Sequence, residues 1–179
     1  MGWQPSWGTA AASGNGTSGR AVVRDVLQPL GVASADTYFT ECYRRYLVKT
    51  GASSRAAAMD RAYTPFATPR GLPPASLPRR PSDAALVRMA LEEDCGDLLA
   101  QLRASGADVV VTLGQPAADV LADLLDVDRV ALRRDPAYGR ERRVRIADRT
   151  VPWLPLKHPG QRTSAGEEHH RQWADGLTR

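Results

Sequence analysis

A chain of 179 residues with 42% hydrophobic residues can bury one sizeable core, and ordinary domain sizes predict a single domain over 1–179. The formal charge of +4, from 24 Lys+Arg against 20 Asp+Glu with arginine dominating, is compatible with phosphate or nucleic-acid binding without establishing it. Two cysteines, Cys42 and Cys95, exclude a disulfide framework and cannot alone complete a four-ligand metal site; no apolar run reaches the roughly 20 residues that span a bilayer, and no charged-then-apolar leader opens the chain, so the expectation is a cytoplasmic protein without a membrane segment.

In chain order, Gly2 to Gly19 is rich in Gly, Ser, Thr and Ala and has no sustained period, which predicts an irregular loop. Either it is a flexible N-terminus, or Gly14, Gly16 and Gly19 let backbone N–H groups approach an anion or a ring closely. Val22, Val23, Val26, Leu27 and Leu30 then recur at helical spacing, with Ser18 as N-cap and Gly31 as stop. The N-terminus of that helix would point at whatever the loop holds.

Tyr38, Phe39, Tyr43, Tyr46 and Leu47 concentrate aromatic and apolar side chains and predict a buried strand over Thr37 to Glu41. Residues 51–82 carry many prolines and Arg55, Arg61, Arg70, Arg79 and Arg80, which predicts an irregular insertion, either substrate-facing or a mobile linker. Arginines beside Tyr63 and Phe66 suit phosphate contact and base stacking, and suit an ordinary solvated loop as well.

Ser82 caps a helix whose apolar positions include Leu86, Val87, Ala90, Leu98 and Leu102 and which ends near Gly106. Asp108 to Gly114 reads as a fully buried strand of a parallel sheet, followed at once by a helix from Pro116 to Leu125. Val144 and Ile146 point to a strand within charged surroundings, and a helix over Ala165 to Leu177 closes the chain. Helices between buried strands predict an α/β protein, a three-layer α/β/α domain with a mostly parallel central sheet.

Val151 to Gly160 stands out. The branched and aromatic residues Val151, Trp153, Leu154 and Leu156 favour an extended chain, and Pro159 and Gly160 turn it sharply after His158. A histidine delivered to the carboxyl end of a strand sits where open α/β sheets place ligands; it is equally a histidine that merely caps a strand.

Several short motifs, in this order along the chain, resemble the uracil-DNA glycosylase superfamily. Gly2-Trp3-Gln4-Pro5-Ser6 looks like the family's opening motif, Gly16-Thr17-Ser18-Gly19 matches the G-x-x-G after it, Val109 to Val120 resembles its strand-Leu-Gly-helix segment, and Leu156 to Gly160 resembles its closing H-P-S motif. The resemblance implies hydrolysis of the N-glycosidic bond of a damaged or deaminated base in DNA; the alternative is a catalytically inactive relative that binds nucleic acid or a nucleotide, and in either case a monomer without cofactor or metal is expected. It implies that His158 donates a hydrogen bond toward the leaving base and that Gln4, within a few ångströms of it, orients a water, while Gln4 as a plain loop amide is the competing reading. Gly2, Pro5, Trp3, Trp7 and Glu41 would hold the base, and Gly16, Ser18, Gly19, Arg162 and Ser164 the DNA backbone.

The chain departs from the family at informative places. Gly14 stands where an aromatic residue usually stacks on the base, which passes that task to Trp3 or Trp7. Thr40-Glu41 stands where the family commonly has Thr-Asn, and an acceptor-only carboxylate does not fit uracil's O4. Arg44 or Arg45 could instead pair with Glu41. Of the four cysteines of the iron-sulfur branch only Cys95 has a counterpart, so no cluster is expected. The opening motif begins at residue two, where the family reaches it after a strand, and this predicts a missing first strand and an exposed groove beside Val109 to Leu113.

Overall fold

A computed structural model describes residues 17–45, 47, 61–73, 78–133, 138–161 and 164–177. Helix α1 (Thr17–Val22) starts one residue before the expected cap, which places Ser18 in its first turn. It runs on into a wide π turn over Val23–Leu27, in which the Gln28 N–H donates to the Val23 carbonyl at 3.0 Å. Pro29 has no N–H to offer the Asp25 carbonyl four residues back, and Gly31, at φ +68°, ends the helical path.

The buried strand expected over Thr37 to Glu41 is not there: after a 3₁₀ turn at Ser34–Asp36 the chain is irregular, and Tyr38 and Phe39 are 64% and 48% exposed. Residues 61–67 form a helix, α2, and a 3₁₀ turn at Thr68–Arg70 extends it, so this part of the Pro/Arg-rich segment is ordered rather than irregular. Arg70 lies over the Phe66 ring, 3.9 Å from its centroid. Helix α3 (Asp83–Ser105) has the caps its sequence announces: the Ser82 hydroxyl accepts from the Ala85 N–H at 3.3 Å, and Gly106 takes the left-handed conformation at φ +58°.

Strand β1 (Val110–Leu113) turns at Gly114 into helix α4 (Gln115–Leu124). Strands β2 (Arg142–Ile146) and β3 (Arg149–Leu156) follow, and helix α5 (Ser164–Leu177) comes last. The sheet order is β1-β3-β2, with β1 parallel to β3 (Val110 opposite Trp153, Leu113 opposite Leu156) and β2 antiparallel to β3 (Val144 opposite Val151). The expected mostly parallel central sheet is therefore corrected to a small, mixed, three-stranded one among the described residues. The reason is the connection: only Ala147 and Asp148 separate β2 from β3, whereas a parallel crossover needs about a dozen residues or more. Nor is β1 fully buried: it is an edge strand among the described residues, with Thr112 its only buried residue.

Alternation along the strands gives each face of the sheet its own cluster. Val151 and Trp153 of β3, with Val144 and Ile146 of β2, pack against Ala118, Leu121 and Ala122 of α4 and against Val130 and Leu132. On the opposite face Leu156, with Val111 and Leu113, packs against Val22, Val26 and Leu27 and against Trp173 of α5. A third cluster joins Leu86, Val87, Ala90 and Leu98 of α3 to Val120 of α4 and to Tyr43. Gln115 ties α4 to the segment after it, donating to the Val130 carbonyl at 2.6 Å and accepting from the Leu132 N–H at 2.9 Å.

The hairpin turn carries local strain. Ala147 sits at φ +56°, where an L-residue other than glycine costs about 1–2 kcal/mol, part of which a glycine returns through its larger unfolded-state entropy. Ala147→Gly is expected to raise stability by about 0.5–1 kcal/mol, read as a higher thermal midpoint; a lower midpoint would show that the turn is not strained.

Candidate functional site

The carboxyl ends of β1 and β3 emerge side by side, because the two strands are parallel and in register up to Leu113 and Leu156. The Gly114 N–H donates to the Leu156 carbonyl at 2.7 Å, and Gly114 itself, at φ +97°, makes the turn into α4 that a side chain would strain. Beyond Leu156 the chain passes through Lys157 and His158 into a 3₁₀ turn at Pro159–Gln161 and then into α5.

Within that loop the His158 Nδ1 accepts a hydrogen bond from the Gly160 N–H at 3.0 Å. A ring nitrogen that accepts carries no proton, so the imidazole is assigned as neutral with its proton on Nε2, a donor. The first turn of α1 packs against this loop: a Cβ built on Gly160 would lie 3.3 Å from the His158 Nδ1 and 3.4 Å from the Ser18 hydroxyl. A histidine donor and the N-terminal turn of a helix thus share the edge of the sheet where the parallel strands end.

Behind the loop lies a polar chain that the reading of the sequence did not single out. The Lys157 N–H donates to the Tyr138 hydroxyl at 3.1 Å, that hydroxyl meets the His170 Nδ1 at 3.0 Å, and the His170 Nε2 meets the Asp25 carbonyl at 2.6 Å. His170 is only 3% exposed. Its partner explains the burial, for the carbonyl it caps is the one that Pro29 leaves without a helical donor. The sequence signal was available: a proline four residues after Asp25, inside an otherwise helical pattern.

Of the residues expected at the site, His158 and Ser18 come together here; Gly19 follows Ser18 in α1, and Ser164 is the first residue of α5. Gly2, Trp3, Gln4, Pro5, Trp7, Gly14, Gly16 and Arg162 lie outside the described residues. Glu41 is not at the end of a buried strand but exposed, in a segment that runs along α3. On either side of it the Thr40 hydroxyl donates to the Gln101 Oε1 at 2.6 Å, and Arg44 bridges Asp94, at 3.0 Å, and Asp97. Arg45 pairs with Glu93 at 3.0 Å, so both arginines form ion pairs with α3.

Cys42 is partly buried, which pushes its thiol up from its ordinary pKa, and Cys95 is exposed. No group of three or more His, Cys, Asp or Glu among the described residues is placed to hold a metal ion. Arginines elsewhere are tied into surface pairs such as Arg129–Asp123, Arg143–Glu141 and Arg149–Asp108. No helix among the described residues is long and apolar enough to cross a membrane. No family model, curated protein or solved structure matches the chain.

Proposed function

We propose that this protein is related to the uracil-DNA glycosylase superfamily and hydrolyses the N-glycosidic bond of a damaged or deaminated base in DNA, with His158 as donor to the leaving base. The observation that supports this most is the His158 loop: Nδ1 is engaged by the Gly160 N–H, so the ring's remaining nitrogen is the donor, and the loop sits against the first turn of α1. In such a reaction a water oxygen bonds to C1′ of the sugar as the C1′–N bond breaks; the electron pair of that bond leaves with the base, and the proton the water sheds balances the charge of the departing anion. Negative charge grows on the departing base, and a preorganised N–H donor stabilises it there more than in the ground state. Gln4 would position the water, and the N–H groups at the start of α1, with Gly16, Ser18, Gly19, Arg162 and Ser164, would meet the DNA phosphates.

The proposal has the protein acting in the cytoplasm as a monomer, in keeping with its free cysteines. A second reading, a relative that binds nucleic acid or a nucleotide without cleaving it, is favoured by the position of Glu41, whose exposed segment along α3 is a poor place from which to read a flipped base. Incubation with oligonucleotides containing uracil, hypoxanthine, xanthine or oxidised bases, scored for abasic sites, separates the two. Release of at least one base supports hydrolysis. Binding of oligonucleotide by folded protein with no base released supports the second reading.

A further inference from the structure

We propose that Tyr138 and His170 are positioning residues for His158, acting as a partly buried hydrogen-bond relay that fixes the direction in which the chain leaves β3. The relay rests on the reading of His158 as the site's donor. Its polarity follows from its ends. The Asp25 carbonyl can only accept, so the His170 Nε2 must carry a proton. Where the ring is neutral, Nδ1 is an acceptor, the Tyr138 hydroxyl donates to it, and an oxygen lone pair is left to receive the Lys157 N–H.

The relay meets a need that the sheet cannot. The register of β1 with β3 ends at Leu113 and Leu156, and the Gly114 N–H is spent on the Leu156 carbonyl. The next donor along β3, the Lys157 N–H, lies past the last strand pair and takes the Tyr138 hydroxyl instead, one residue before His158. Tyr138 is held in turn by its neighbour. Gly139, at φ +72°, presses its backbone so closely onto α5 that a Cβ there would lie 2.3 Å from the Trp173 Cδ1, and the Trp173 ring stands 4.9 Å from the His170 ring. The relay therefore joins the π turn after α1, helix α5 and the exit of β3, the elements that converge on the loop. Misplacing a catalytic donor by about 1 Å costs on the order of 100-fold in rate, so a lost anchor beside His158 reaches the chemistry without touching substrate.

Tyr138→Phe deletes the hydroxyl and little else. The ¹⁵N spectrum of the His158 ring at neutral pH reports the Gly160 N–H bond at Nδ1 and does not depend on any substrate. In Tyr138→Phe the Nδ1 signal is expected to move from its hydrogen-bonded value toward that of a free imidazole, and on any oligonucleotide the wild type cleaves kcat is expected to fall about tenfold or more with KM little changed. An unchanged His158 spectrum in folded Tyr138→Phe protein overturns the proposal. Should that variant not fold, His170→Gln, whose amide N–H can still serve the Asp25 carbonyl, decides on the same spectrum by the same criterion. A shifted His158 ring in a protein that releases no base would uphold the relay and defeat the glycosylase reading.

Discussion

Trp153→Ala is expected to lower the unfolding free energy by about 3–5 kcal/mol, the usual range for emptying the site of a buried large aromatic. Trp153 is 1% exposed, and β3 is the central strand, with this residue opposite Val110 on one side and Arg142 on the other. The indole fills the space between the sheet and α4, within a cluster that includes Ala118, Leu121, Ala122 and Val144, and its Nε1–H donates to the Thr112 hydroxyl at 3.0 Å. Alanine leaves a cavity that rigid strands on both sides cannot close, and it strands a buried hydroxyl, which adds about 1 kcal/mol or more. Against a typical total of about 5–15 kcal/mol such a loss leaves the fold marginal. Urea unfolding checks it, and Trp153→Phe, which keeps most of the ring volume but not the donor, isolates the polar part. A loss under about 1 kcal/mol for Trp153→Ala would mean that the cluster repacks and that β3 is not the organising strand.

The elements that could be read from the sequence are those whose signals are local. Helix α3 is announced by Ser82 and Gly106, whose capping roles depend on adjacent backbone only, and the β1-Gly114-α4 join by an apolar run, a glycine and Pro116. The delivery of His158 to a loop follows from Pro159 and Gly160 in the same way. What was misread depends on partners. Thr37 to Glu41 has strand-forming residues, yet such preference expresses packing on a sheet, and here the Tyr38 and Thr40 hydroxyls find Gln101 on α3 instead. The parallel sheet was inferred from helices alternating with strands, an argument that Arg142 to Leu156 breaks with its two-residue connection. That tight turn is hard to see because Ala147 occupies a position where a glycine or asparagine would have advertised it.

His158→Ala is expected to slow base release by about 10²–10³-fold, the usual cost of removing one preorganised donor to developing negative charge. The ring has no large packing role to confuse the result, since His158 is only partly buried and belongs to none of the three apolar clusters. Under the proposed hydrolysis, binding of the oligonucleotide should change little, because the donor would act on charge that appears only as the C1′–N bond breaks. His158→Gln, which restores an N–H at similar reach on a more flexible side chain, is expected to recover part of the rate.

The most direct measurement is single-turnover release of the base from the best oligonucleotide of the panel, wild type beside His158→Ala, with binding measured on the same DNA. A rate that falls about 100-fold or more at unchanged affinity is the result expected of a donor to the leaving base. Equal rates in the two proteins, or folded wild type that binds the DNA and releases nothing, would contradict it.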